Sequence, residues 1–150
     1  MIMRRTIVEH IKIFEAGIYA TKVTGIKQAR DVATGKIDLV SDIVLLHKTT
    51  TVPAKVGTSF AIRYRKIGGE SAKVKFVILY PLPGLQDPRV GNTRLFDEYP
   101  EQERFIGITD YFAGYKLEND WELVHGTWTF ELWQDDRKLA EQSFTLVKSE

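Results

Sequence analysis

The sequence contains no cysteine, which excludes disulfides, thiol catalysis and any cysteine-based zinc site. Long apolar runs are missing too. The best candidate, Ile43 to Leu46, is strand-sized and far short of the roughly 20 residues a membrane helix needs, so no membrane partner is expected. Charge of one sign is not in excess: 21 Lys and Arg face 20 Asp and Glu, for a net +1. A dedicated nucleic-acid binder shows a clear basic surplus, so nucleic acid is not an expected partner either. There is no internal repeat, low-complexity tract or linker. Helical periodicity is scarce, and only Ile26 to Val32 and Asp97 to Arg104 suggest helices, each of about two turns.

Catalytic motifs are also lacking. His10, His47 and His125 have no partner at metal-ligand spacing, so no metal is expected. No Gly-x-Ser-x-Gly elbow is present. Gly25 and Gly68-Gly69 lack the strand–loop–helix setting of a phosphate cradle. Carboxylate pairs occur at Asp97-Glu98, Asp120/Glu122 and Asp135-Asp136; the last reads as a hairpin turn, where Asp is favoured for backbone reasons.

What remains is a chain of 150 residues, 43% apolar and 27% charged. That is ordinary for one globular domain, here residues 1–150, able to bury about two-thirds of its unfolded surface. The N-terminus has Arg4 and Arg5 with no apolar stretch behind them, unlike a secretory signal. A cytoplasmic protein is expected, or a periplasmic one had a signal been removed.

Strand signals dominate. Phe60, Ile62 and Tyr64 alternate with Ala61, Arg63 and Arg65, and Val74, Phe76 and Ile78 alternate with Lys73, Lys75 and Val77, a period of two. Ile7 to Phe14, Ile18 to Val23, Ile37 to His47 and Phe105 to Tyr115 read as further strands. Asp31 to Lys36 reads as a turn at Gly35, and Thr49 to Pro53 as an edge strand or strand start. Arg63, Arg65, Lys73 and Lys75 form one basic face if their strands pair as a hairpin through Gly68-Gly69; they divide between two faces if the strands belong to opposite sheets.

The last thirty residues say most. Gly126 precedes Thr-Trp128-Thr-Phe130-Glu-Leu132-Trp133, and a polar break at Gln134 to Lys138 leads to Leu139 to Val147. Trp128, Phe130 and Leu132 share one strand face, suited to the gap of about 10 Å between packed sheets. Phe144 and Leu146 continue it. Parity shifts between Leu139 and Phe144, so a bulge near Glu141 to Ser143 is expected. Gly126 suits a corner, and Trp121 is a candidate corner residue whose indole N–H bonds nearby backbone. A corner, a core Trp, a hairpin and a closing strand point to an all-β, immunoglobulin-like antiparallel sandwich of about seven to nine strands.

Through Leu123, Gly126, Trp128, Phe130, Leu139 and Phe144, the C-terminal half resembles a small bacterial family of immunoglobulin-like β-sandwich proteins, a domain of unknown function. Pro53 to Tyr64 and Tyr80 to Pro88 extend the resemblance over most of the chain. It implies the sandwich fold and no assigned activity, cofactor or catalytic set.

Function is therefore sought on the surface. Gly84 to Gln102 reads as one long loop, and loops of that length in compact domains are often functional. Arg89, Asn92, Arg94, Asp97, Glu98 and Tyr99 supply its hydrogen-bonding and ionic groups. Trp133 lies opposite Trp128, in line with Thr127, Thr129 and Glu131. An indole there is a ligand platform, a subunit contact, or covered by the N-terminal segment. The expected role is a non-enzymatic binding domain for a protein or small ligand, with weak homodimerisation through the Trp133 face. The alternatives are an enzyme acting on a carbohydrate-like ligand, which needs two acids about 5 to 10 Å apart in a cleft, and a structural assembly subunit joined by strand edges.

Overall fold

The structure, a computed structural model, describes residues 7–28, 33, 36–69, 72–101 and 110–149. Its elements are β1 (His10–Gln28), β2 (Lys36–Lys48), β3 (Thr51–Ala54), β4 (Ser59–Ile67), β5 (Lys75–Leu79), β6 (Leu85–Asp87), β7 (Asn92–Arg94), β8 (Phe96–Tyr99), β9 (Tyr111–Lys116), a 3₁₀ turn (Asp120–Glu122), β10 (Gly126–Gln134) and β11 (Arg137–Lys148). One sheet has the order β2-β1-β4-β9 and the other β3-β11-β10-β5-β8, while β6 and β7 form a separate ribbon. Among the described residues the expected sandwich thus has nine strands in two sheets.

The period-two patterns decide what lies between the sheets. Phe60, Ile62 and Tyr64 point inward from β4, Phe76 and Ile78 from β5, Trp128, Phe130 and Leu132 from β10, and Phe144 and Leu146 from β11, all buried. Phe60 stacks on Phe130 with ring centres 5.3 Å apart and meets Phe144 edge-on at 5.2 Å. Such aromatic pairs contribute beyond the area they bury. Gly126 enters β10 at φ +124, and a Cβ there would meet Pro81 at 2.9 Å. Glycine is required at that corner on both counts.

Three expectations change here. The segment 84–102 is not one featureless loop: it holds the β6–β7 ribbon and β8, which pairs with β5 from Leu79↔Phe96 to Phe76↔Tyr99. Neither expected helix is present among the described residues. Ile26–Gln28 lies in strand β1 and Asp97–Tyr99 in strand β8, while residues 29–32 of the first candidate and 102–104 of the second fall outside the described residues, as does Gly35 of the expected turn. The bulge sits at Leu139, because Leu132 pairs with Ala140 but Trp133 with Lys138. A two-residue Asp135-Asp136 turn, with Asp135 at φ 50, fixes the register from the hairpin end.

The basic residues part company. Arg63 and Arg65 are on the outside of β4, whereas Lys75 is on β5 in the opposite sheet. Each Arg is matched by acids: Arg63 pairs with Glu15 at 3.3 Å and Arg65 with Asp110 at 2.8 Å.

Beyond Tyr19, β1 pairs only with β2 among the described residues, through a ladder with two further register shifts. Bulges bend and twist strands, and past this arm the Ala33 N–H reaches Asp97 Oδ2 at 3.0 Å. Ahead of β1, Val8 is tied to the β10–β11 hairpin. Gln134 Oε1 accepts from the Val8 N–H at 2.9 Å, and Arg137 donates to the Val8 carbonyl at 2.9 Å. Because β1 belongs to the other sheet, it does not cross the outer face that carries Trp133.

Candidate functional site

Strand β8 is the edge of the five-stranded sheet. Its short Phe-Asp-Glu-Tyr sequence alternates outward and inward, with Phe96 and Glu98 exposed and Asp97 buried. An inward aspartate needs partners, since an unpaired buried charge is costly. Asp97 has three, through four contacts: Tyr80 OH donates to Oδ2 at 2.5 Å, the Ala33 N–H to Oδ2 at 3.0 Å, and Arg94 to Oδ1 through Nε at 2.6 Å and Nη2 at 2.5 Å. Asp97 thereby fastens the ribbon, the edge strand and the β1–β2 arm to one end of the core. Asp97→Ala should lower folding stability by on the order of 3 kcal/mol, because Tyr80 and Arg94 lose their acceptor. Chemical unfolding of the two proteins checks this, and an unchanged midpoint would show that Asp97 is no such fastening.

The same end is rich in tyrosine. Burial first, then the neighbouring Tyr99, Tyr115 and Asp97, push the Tyr80 phenol well above its ordinary range. Burial and the Glu122 carboxylate do the same to Tyr115. Glu122, fully buried, accepts from Tyr115 OH, from the Glu118 N–H at 3.0 Å, and from the Asn119 N–H and Nδ2 at 2.6 and 3.0 Å. The corner expected around Trp121 is built differently. Trp128 Nε1 makes the indole-to-backbone bond, to Val124 O at 2.9 Å, while Trp121 packs beneath Arg89, whose guanidinium lies 5.8 Å from the indole centre.

Along β8 runs an open groove of about 990 Å³ lined by residues 93–101, Lys73 to Lys75, Trp133 and Asp135. It brings together Arg94, Asp97, Glu98, Tyr99 and Trp133, five of the seven surface residues singled out from sequence. Arg89 and Asn92 are elsewhere: Asn92 pairs with Asp87 in the ribbon, and Arg89 holds Asp87 at 2.7 Å. The hydrogen bonds from Arg89 keep the Asp87 carboxyl below its usual range.

The groove continues onto the sheet face as a depression of about 380 Å³, lined by Val77, Leu79, Phe96 and Trp133 with Lys75, Glu98, Glu131, Asp135 and Asp136. Trp133 Nε1 donates to Glu131 Oε1 at 3.0 Å, which lays the indole along its own strand. Glu98 pairs with Lys75 at 3.3 Å, and Lys138 approaches Glu131 at 3.5 Å.

Two lining features escaped the sequence reading. Phe96 was hidden in the supposed loop. Glu101 is held by Lys66, Nζ to Oε2 at 3.0 Å, and Lys66 also donates to Ala72 O at 2.5 Å and lies 4.6 Å from the Tyr111 ring centre. The signal for Lys66 was available: it continues the inward parity of Phe60, Ile62 and Tyr64, so a partner for a buried ammonium was required.

With this geometry in place, comparison with known proteins is informative. The family model described as "Domain of unknown function (DUF3859)" matches residues 7–146. The chain belongs to that family. Its fold is similar to the crystal structure of an immunoglobulin-like protein from Pseudomonas aeruginosa, with a TM-score of 0.62 and 26% identity over 93% of this chain and 98% of that one. Among curated proteins none matches. The resemblance in Leu123 to Phe144 is thereby borne out at the level of family and fold. DUF3859 as a description assigns no reaction, so functional argument returns to the groove.

Proposed function

We propose that this domain is a non-enzymatic binding module whose ligand surface is the β8 groove and the adjoining Trp133 face. One observation carries the reading. A strand edge, an exposed Phe96, a half-buried Trp133 and ionic groups of both signs border the same open groove. Aromatic residues with a polar rim are what binding surfaces use to combine affinity with orientation.

The carbohydrate-directed enzyme is the weaker reading. Asp97, Glu98 and Glu101 do line one groove, but Arg94, Lys75 and Lys66 respectively hold them. Each of the three carboxylates is thus already engaged by a cation of the same chain instead of being offered to a substrate oxygen. Weak homodimerisation through Trp133 remains compatible with the groove, since a net charge of +1 gives little repulsion between copies.

The test compares wild type with Trp133→Ser on arrays of extended peptides and oligosaccharides, with sedimentation equilibrium on both proteins. Retention of at least one ligand class, or self-association, should fall by tenfold or more in the variant, as expected for an interface aromatic contributing about 2 kcal/mol. Turnover of a sugar substrate that disappears in Glu98→Gln or Glu101→Gln would overturn the reading.

A further inference from the structure

The edge of β8 specifies the kind of ligand more closely. In an antiparallel ladder, hydrogen-bonded and non-hydrogen-bonded pairs alternate. The Tyr80 N–H donates to Leu95 O at 2.9 Å, and Ile78 and Phe76 stand opposite Asp97 and Tyr99. Residues 95, 97 and 99 therefore direct their backbone groups at β5. Phe96 and Glu98 direct theirs outward, into the groove, where none of the described residues pairs with them. Unpaired strand edges are templates for another strand. Residues 93–101 all line the groove, and β8 at its centre, Phe96–Tyr99, offers about 13 Å of extended edge at roughly 3.3 Å per residue.

We propose that the β8 groove binds an extended polypeptide segment as an added strand, and that the segment alternates basic with apolar residues. The inference rests on the groove being a ligand surface. Backbone pairing with Phe96 and Glu98 supplies the main-chain contacts of strand addition. Charge complementarity selects the side chains. On the outer-face side the depression carries Glu98, Glu131, Asp135 and Asp136 against Lys75 and, beside Glu131, Lys138, a local acidic excess on a chain of net +1. Lysine or arginine on that side of the guest strand meets these carboxylates and the Trp133 indole, whose face attracts cations. Basic stems also cover exposed Phe96. On the other side the guest meets Leu95, 51% exposed, and half-buried Tyr99, which suits apolar residues.

The experiment uses the full chain and three probes: a nine-residue peptide of alternating lysine and valine, the same peptide with glutamate for lysine, and spermine. The lysine–valine peptide is expected to bind, to shift the Trp133 indole resonance and to slow amide exchange at Phe96 and Glu98. The reversal Glu98→Lys, at an exposed position that should leave the melting temperature unchanged, should weaken binding about tenfold. Equal affinity for spermine, or binding without protection of those two amides, would overturn strand addition. Preference for the glutamate–valine peptide would overturn the basic assignment and leave the groove a binding surface. Failure of all three to perturb Trp133 would overturn the proposal; the binding reading itself fails only if the broader arrays are also negative.

Discussion

Replacing Trp128 with alanine should cost about 3–5 kcal/mol of folding stability, the scale for removing a large buried aromatic. The side chain is inaccessible to solvent. Its ring centre lies 5.0 Å from Tyr80, 5.2 Å from Tyr115 and 5.5 Å from Phe60. The loss has two parts: the transfer energy of the indole, and a cavity that residues from both sheets border and neither sheet can close. The bond from Nε1 to Val124 O disappears as well, leaving the approach to β10 less firmly fixed. For a domain of this size the melting temperature should fall by about 10 °C. Trp128→Phe, which keeps most of the volume, should lose less. Melting of Trp128→Ala within a degree or two of wild type would contradict the proposed packing.

The second large effect is alkaline unfolding. Burial drives the phenol pKa of Tyr64 far up, with Glu101 adding to it, and those of Tyr80 and Tyr115 rise for the reasons given above. In the unfolded chain a tyrosine ionises near pH 10. Between that pH and the raised folded value the unfolded state sheds protons the folded state keeps, so stability is intact below pH 10 and declines above it. Each such tyrosine contributes a slope of about 1.4 kcal/mol per pH unit, and the three together about 4. Cooperative unfolding is therefore expected between about pH 10 and 12, accompanied by simultaneous phenolate absorbance. Gradual, non-cooperative tyrosine ionisation in a protein that stays folded would show that these phenols reach solvent.

The core was legible because Phe60, Ile62 and Tyr64, and later Trp128, Phe130 and Leu132, each occupy one side of a strand long enough to display the period. The bulge was legible as a parity change but not as a position. Any insertion between Leu139 and Phe144 satisfies the apolar pattern, and the Asp135-Asp136 turn places it at Leu139. The β6–β8 region was not legible as strand, since its elements span only three or four residues, too few for periodicity to register. In Asp97 to Arg104 an acidic start resembled a helix, yet pairing of residues 96–99 with β5 prevails over local preference. The site residues were found by chemical type, and only pairing could separate Arg94, Asp97, Glu98 and Tyr99, gathered with Trp133, from Arg89 and Asn92. The Trp121 corner failed because Trp128 and the Tyr115–Glu122 pair take that role.

The footprint of a bound ligand tests the central claim most directly. Amide and indole chemical shifts would be recorded across the whole chain while the ligand retained on the peptide or oligosaccharide arrays is added. The account predicts changes concentrated at Phe96, Glu98, Tyr99 and the Trp133 indole, with little at Arg63 and Arg65 on the other sheet or at Arg89 beside Trp121. A footprint centred on either of those regions, with Trp133 and β8 unmoved, would contradict it.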